Sequence, residues 1–175
     1  MIKNWKKIKE EKIKVGFRSI IKKTFQLPDD RIDNFDIKLE GKVVCVLALT
    51  KDHKVILGEQ FRPCPEKILL ELPGGGVESG ETPEEAVRRE FLEETGYIGD
   101  FEFVGESFDC AYSTRIRYHF VALNCYKKDK QNLDKTEFIE VREISLDDFK
   151  KLLHSGQLTD SETGYRGLNF LGLLH

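Results

Sequence analysis

The apolar positions fall mostly into short runs with a period of two, broken by one helical stretch near the middle and two near the end. Ile13, Val15, Phe17, Ile20, Ile21 and Phe25 alternate loosely, which predicts one or two strands over residues 12–25. Residues 26–30 (QLPDD) read as a turn, and 35–39 (FDIKL) alternate as a strand. Residues 42–50 (KVVCVLALT) are almost continuously apolar, the pattern of a strand buried on both faces. A turn at 51–53 leads to a strand at 54–61, and 68–72 (ILLEL) forms another before Pro73 and three glycines. Strands follow at 101–109, 115–125 and 138–144, with a polar, charged loop at 126–135. An amphipathic helix fits 146–154, and a C-terminal helix fits 161–174, carrying Tyr165, Leu168, Phe170, Leu171 and Leu174. Strands around a central helix, with helices at the end, give an α+β class. No internal repeat or long linker interrupts the chain.

The central helix has its limits written in its sequence. Thr82 is a good N-cap, Pro83 suits the first helical position, and Glu85 three residues after the cap completes a capping box. Gly96 suits a left-handed C-terminal stop, so the helix spans about 83–95. At about 100° per residue Glu90, Glu93 and Glu94 share one arc. Like charges at i,i+3 and i,i+4 destabilise a helix by roughly 0.2–0.5 kcal/mol per pair. A bound divalent cation removes that repulsion, and hard cations such as Mg²⁺ take carboxylate and phosphate oxygens together. The bland alternative is a solvated acidic face.

Composition narrows the setting. The 175 residues are 39% hydrophobic and 34% charged, which describes one soluble globular protein rather than a membrane-embedded or disordered one. No apolar run approaches the ~18 residues of a membrane-spanning helix. The first residues, MIKNWKKIKEEKIK, lack the apolar core of a signal peptide, so a cytoplasmic location is expected. Cys45, Cys64, Cys110 and Cys125 are widely spaced and form no CxxC pair, which fits reduced structural thiols and argues against a zinc site. Residues 1–23 carry nine Lys/Arg against Glu10 and Glu11, a balance of +7, so the remainder carries −10. Such a segment suits a solvated edge, an acidic surface of a second subunit, or nucleic acid.

Gly75, Glu81, Arg89, Glu90, Phe91, Glu93, Glu94, Gly96 and Tyr97 resemble, position by position, the signature of the Nudix hydrolases. Tyr97 is a somewhat polar choice at a position that is usually hydrophobic. Upstream, Glu59, Gln60, Phe61, Arg62, Glu71, Pro73 and Gly74 resemble the ADP-ribose pyrophosphatase branch. The resemblance implies a Nudix fold, with a mixed sheet sandwiched between helices in α/β/α layers and the signature forming a loop-helix-loop. It divides the chain into an N-terminal strand subdomain at 1–40, expected to dimerise, and a hydrolase domain at 41–175.

The implied reaction is Mg²⁺-dependent (or Mn²⁺-dependent) attack of water on the pyrophosphate of a nucleoside diphosphate linked to a second moiety. ADP-ribose, cut to AMP and ribose 5-phosphate, is the leading substrate. The implied metal ligands are Glu90 and Glu94, with Glu93 sharing a second ion or its water and a backbone carbonyl from Gly74 or Gly75. Glu93 leads as the base, Glu137 at the start of the last strand is the second candidate, and Glu90 is grouped with them as catalytic. Glu81 and Arg89 support the site as an ion pair. Arg62, Glu71 and Tyr112 are the substrate-binding candidates; a guanidinium suits a diphosphate because it bonds two phosphate oxygens at once.

The loop at 111–115 (AYSTR) departs from the branch pattern. It has Tyr112 where many ADP-ribose members carry proline, and it lacks their carboxylate. Tyr112 resembles members acting on diadenosine polyphosphates instead. Those compounds and other nucleotide sugars therefore stand as alternatives, followed by a nucleotide sensor and an RNA 5′-end pyrophosphohydrolase.

Overall fold

The computed structural model describes residues 4–174, so Lys3 of the basic segment lies outside the described residues. The chain forms two compact units. One holds the residues up to Lys42 together with Ser107–Ile116; the other holds Val43–Glu106 and the residues from Arg117 onward.

The smaller unit is an antiparallel sheet of β1 (Lys6–Val15), β2 (Arg18–Gln26) and β3 (Ile32–Leu39), in that order. β1 starts six residues before the expected strand. Its first half is mostly Lys and Glu and hides the strand signal, but it pairs from Lys6↔Gln26 through to Val15↔Arg18. Lysines along an edge strand also discourage edge-to-edge extension of the sheet. Residues 112–114 run along β3, where Lys38 N–H donates to Tyr112 O at 2.8 Å and Thr114 N–H to Lys38 O at 2.9 Å.

The larger unit is built on a mixed sheet in the order β6-β5-β4-β8-β7, with β9 on the remaining edge of β5. Its strands are β4 (Val43–Thr50), β5 (Val55–Arg62), β6 (Lys67–Glu71), β7 (Tyr97–Phe108), β8 (Ile116–Lys127) and β9 (Glu140–Ile144); β7 and β8 give their tips to the smaller unit. The helices are α1 (Pro83–Thr95), α2 (Leu146–His154) and α3 (Ser161–Phe170). β4 explains the layering. Val44, Val46 and Ala48 pack with Ala86, Val87 and Phe91 of α1, whereas Cys45, Leu47 and Leu49 pack with Phe149, Leu153 and Leu168 of α2 and α3. Alternate side chains of one strand thus feed two cores, which is why the run reads as continuously apolar. The expected α/β/α sandwich is what forms.

Several details differ from the sequence reading; β3, for one, starts at Ile32 rather than at residue 35. The last helix ends at Phe170, not 174, because Gly172 adopts φ 67° and turns the chain; Leu173 and Leu174 then pack onto the second core. β7 begins at Tyr97, directly after the left-handed Gly96. The polar position Tyr97 is buried and donates its hydroxyl to Glu143 at 2.7 Å. β9 begins at Glu140, so Glu137 lies in the preceding turn rather than at a strand start. All four cysteines are free; Cys45 and Cys125 are buried, and Cys64 and Cys110 are exposed. Among the described residues no helix is long and apolar enough to cross a membrane.

His119 of β8 is fully buried, with Nδ1 at 2.8 Å from Thr163 Oγ1. Burial pushes its pKa from 6.5 down to about 4. Between those values the unfolded chain binds the proton and the folded chain does not, so stability falls as pH drops through the window, by up to ~1.4 kcal/mol per pH unit. Urea melts at pH 7 and pH 4.5 should show the wild type losing about 2 kcal/mol more than His119→Gln over that interval. Parallel losses in the two proteins would refute this.

Candidate active site

The site begins where β6 changes partners. Gly58 of β5 pairs with Glu71 of β6 on one side and with Val141 of β9 on the other. Beyond Glu71 the chain leaves β5 and runs along β4: Val46 N–H donates to Pro73 O at 3.0 Å and Val44 N–H to Gly75 O at 2.9 Å. Gly74 sits so close to β4 that a Cβ would lie 2.2 Å from Val44 O. A Cβ on Gly75 would lie 2.4 Å from the Glu90 carboxylate. The two glycines therefore serve different contacts, one with the core strand and one with an acidic side chain.

α1 forms the facing wall, and its caps are those expected. The Thr82 hydroxyl accepts from Glu85 N–H, the Glu85 carboxylate accepts from Thr82 N–H, and Gly96 closes the helix at φ 75°. Arg89 gathers the acidic groups. Its Nε and Nη2 donate to Glu81 at 2.8 and 2.9 Å, Nη1 to Glu90 at 2.9 Å and to Glu93 at 3.1 Å, and Nη2 also to Gly76 O at 3.0 Å. All five guanidinium N–H groups are thereby used. The Arg89 bonds hold the Glu81 carboxyl down at about 2. Glu94 is buried and accepts from Gly74 N–H at 2.9 Å. Burial, reinforced by the charges of Glu90 and Glu137, pushes its pKa up to about 8. Burial also raises that of Glu90, against the pull of Arg89.

The third wall comes from residues 128–137, which fold back over the end of α1. Gln131 Nε2 donates to Glu94 O at 2.6 Å, Asn132 N–H donates to Glu93 O at 2.9 Å, and Asp129 N–H donates to Gly96 O at 3.0 Å. These bonds satisfy carbonyls that a helix end leaves open. They bring Asn132, Asp134, Thr136 and Glu137 to a cleft of ≈ 680 Å³ shared with Gly74, Glu90, Glu93, Glu94 and Arg62. Glu137 is fixed by Asp134 N–H donating to Oε2 at 3.0 Å.

Arg62 and Glu71 meet directly: Arg62 Nε donates to Glu71 Oε2 at 2.6 Å. Glu71 is buried, and its oxygens also accept from Gln60 Nε2 at 2.9 Å and Thr159 Oγ1 at 2.8 Å. Glu71, a substrate-binding candidate from the sequence, thus accepts three hydrogen bonds from side chains of this chain. Tyr112 belongs to the smaller unit. There it lines a separate cavity of ≈ 480 Å³ with Trp5, Lys23, Phe25, Phe35 and Ile37. Gln131, Asn132 and Thr159 were not picked out from sequence, because each acts on a residue distant in the chain.

Among the described residues no group of three or more His, Cys, Asp or Glu is drawn together as a metal cluster. Arg89 holds Glu90 and Glu93, and Gly74 holds Glu94, so the carboxylates are arranged around protein donors. The donor chemistry nonetheless fits a hard divalent cation: three carboxylates share one helix face, and burial raises the pKa of two of them, a cost to the ionised form that a bound cation would offset.

The NUDIX domain family matches residues 39–168. The chain is 34% identical over 143 residues to an ADP-ribose pyrophosphatase of Bacillus subtilis, covering 80% of this chain and 77% of that one. It is 30% identical over 141 residues to a methanol dehydrogenase activator of Bacillus methanolicus, covering 79% and 76%. A solved structure of an ADP compounds hydrolase superposes with TM-score 0.82 at 17% identity, over 99% of this chain and 98% of that one, and so shares the fold. With the signature glutamates gathered on one helix and the family match covering most of its length, this chain belongs to the Nudix family.

Proposed function

We propose that the chain is a Mg²⁺-dependent pyrophosphohydrolase, with Mn²⁺ as a substitute, that cuts ADP-ribose to AMP and ribose 5-phosphate in the cytoplasm. The observation that carries this reading is one cleft lined both by the carboxylates of α1 and by an arginine from β5. A diphosphate can bridge a cation held on the first wall and a guanidinium on the second. The similarity to an ADP-ribose pyrophosphatase along most of both chains supports the choice of substrate.

Glu90, Glu94 and Glu93 would hold the metal. Pro73 O and Gly75 O point at β4, while Gly74 turns its N–H to Glu94, so its carbonyl lies on the same side and is the backbone ligand we assign. When bound, the ion neutralises phosphate charge and lowers the pKa of water. Arg62, its Nε taken by Glu71, keeps its Nη groups for phosphate oxygens. Glu71 thus acts on substrate only through Arg62 and Gln60. Glu81 and Arg89 set the rotamers of Glu90 and Glu93. Glu93, partly exposed in the cleft, is assigned as the base that takes the water proton; Glu137 on the third wall is the rival.

Turnover of ADP-ribose, GDP-mannose, diadenosine polyphosphates and triphosphate-ended RNA, with Mg²⁺ and with EDTA, tests the proposal. ADP-ribose should be cut fastest, EDTA should abolish turnover, and Glu93→Gln should lose more turnover than Glu137→Gln. Activity that persists in EDTA, or a panel left intact, would overturn the function; the reverse order of the two variants would move the base to Glu137.

We also propose a homodimer formed through the strands of residues 1–40. Residues 1–23 carry +7 against −10 for the remainder, and Trp5, Ile8, Phe17 and Ile32 of this unit are exposed. Sedimentation should give a dimer whose interface exceeds ~1,000 Å². A monomer at micromolar concentration that still hydrolyses ADP-ribose refutes it.

A further inference from the structure

Glu71 sits at the end of β6, 4% exposed, with its two oxygens divided between two parts of the larger unit. Oε2 accepts from the cleft residues Arg62 and Gln60, at 2.6 and 2.9 Å. Oε1 accepts from Thr159, 88 residues later, in the loop between α2 and α3. Two bonds on one oxygen still leave a carboxylate free to swing about its last torsion, and that torsion is soft. The third bond, on the other oxygen, removes this freedom. Thr159 Oγ1 also lies 3.0 Å from Asp160 Oδ2, yet a hydroxyl has one proton to donate. Asp160 is paired with the Arg117 guanidinium, whereas Oε1 of buried Glu71 needs a donor, so the proton belongs to Glu71.

We propose that Thr159 is a positioning residue for substrate: by fixing Glu71 it sets the plane of the Arg62 guanidinium and the amide of Gln60 that face the diphosphate. The proposal rests on the reading of Arg62 given above. Arg62 is half exposed, and the one acidic partner fixing its Nε is Glu71, so the orientation of that carboxylate becomes the orientation of the Nη pair. Bidentate recognition depends on that plane. The guanidinium holds the diphosphate before and during reaction alike, so a loosened Thr159 raises KM and leaves kcat nearly unchanged.

The test compares Thr159→Val, which keeps the shape and removes the hydroxyl, with Thr159→Ser, which keeps the hydroxyl. Thr159→Val should raise KM for ADP-ribose about tenfold, the scale of a lost hydrogen bond to a charged group, and should weaken ADP binding in calorimetry by the same factor. Thr159→Ser should stay within about twofold of wild type. In a Gln60→Ala, Arg62→Ala background Thr159→Val should add nothing, since a residue acting through those two side chains has nothing left to position. An unchanged KM with only a lower melting temperature, or an equal effect in the Gln60→Ala, Arg62→Ala background, overturns the proposal. A wild type that cuts nothing on the panel but binds ADP overturns the function alone, and the calorimetric comparison still reads Thr159. A wild type that binds no ADP overturns both.

Discussion

Glu94→Gln should lose at least ~100-fold in turnover, the scale seen when an essential electrostatic group is removed, and should melt no lower than wild type. The two halves of this expectation have different origins. The amide oxygen of glutamine can still accept the Gly74 N–H bond, so the loop stays anchored to the helix. What disappears is a buried charge that burial and the neighbouring Glu90 and Glu137 oppose. A carboxyl whose folded pKa is raised to about 8 from 4.5 withdraws stability as pH rises through that window, because the unfolded chain ionises first. In EDTA at pH 8 the variant should therefore melt at or above the wild-type temperature. Wild-type turnover in the variant would remove Glu94 from the metal site; a melting point several degrees lower would show that its carboxylate stabilises the fold.

Gly75→Ala should fold and lose about 100-fold in turnover, whereas Gly74→Ala should fail to fold. The new methyl at 75 would lie 2.4 Å from Glu90 Cδ, the far end of a flexible side chain, which can swing away and take a proposed metal ligand with it. Misplacing a reacting group by about 1 Å is enough for a loss of this size. The methyl at 74 would meet Val44 O at 2.2 Å and Cys45 Cα at 2.8 Å, the backbone of the central strand, which cannot yield. Circular dichroism melts paired with turnover separate the outcomes. A folded, active Gly75→Ala would mean that Glu90 has room the distances deny it.

The residues that could be read from sequence are those whose partners are close in the chain. Thr82, Glu85 and Gly96 announce α1 because capping is settled within three or four residues. The alternation of β4 could be read as burial but not as two cores, since only packing tells Val44 from Cys45. β1 was partly hidden because Lys6, Lys7 and Lys9 are chosen for an edge, not for a core. The back wall of the site could not be foreseen. Gln131 reaches Glu94 O across 37 residues and Thr159 reaches Glu71 across 88, and a polar side chain in a loop carries no local sign of its acceptor. The same holds for residues 107–116, which cluster with the N-terminal strands although 64 residues separate them from Lys42.

The change of partner by β6 has a consequence for how the protein can vary in length. From Pro73 to Gly75 the backbone alternates strictly, with carbonyls of 73 and 75 to β4 and the amide of 74 to Glu94. One residue inserted between Glu71 and Pro73 would slip that register by one and put Pro73 in the place of Gly74. Proline has no N–H to give the Glu94 carboxylate, and it carries a Cβ where Gly74 leaves room for Val44 O. The segment tolerates changes of side chain far better than a change of count, so its spacing to α1 is as much a part of the site as the glutamates are.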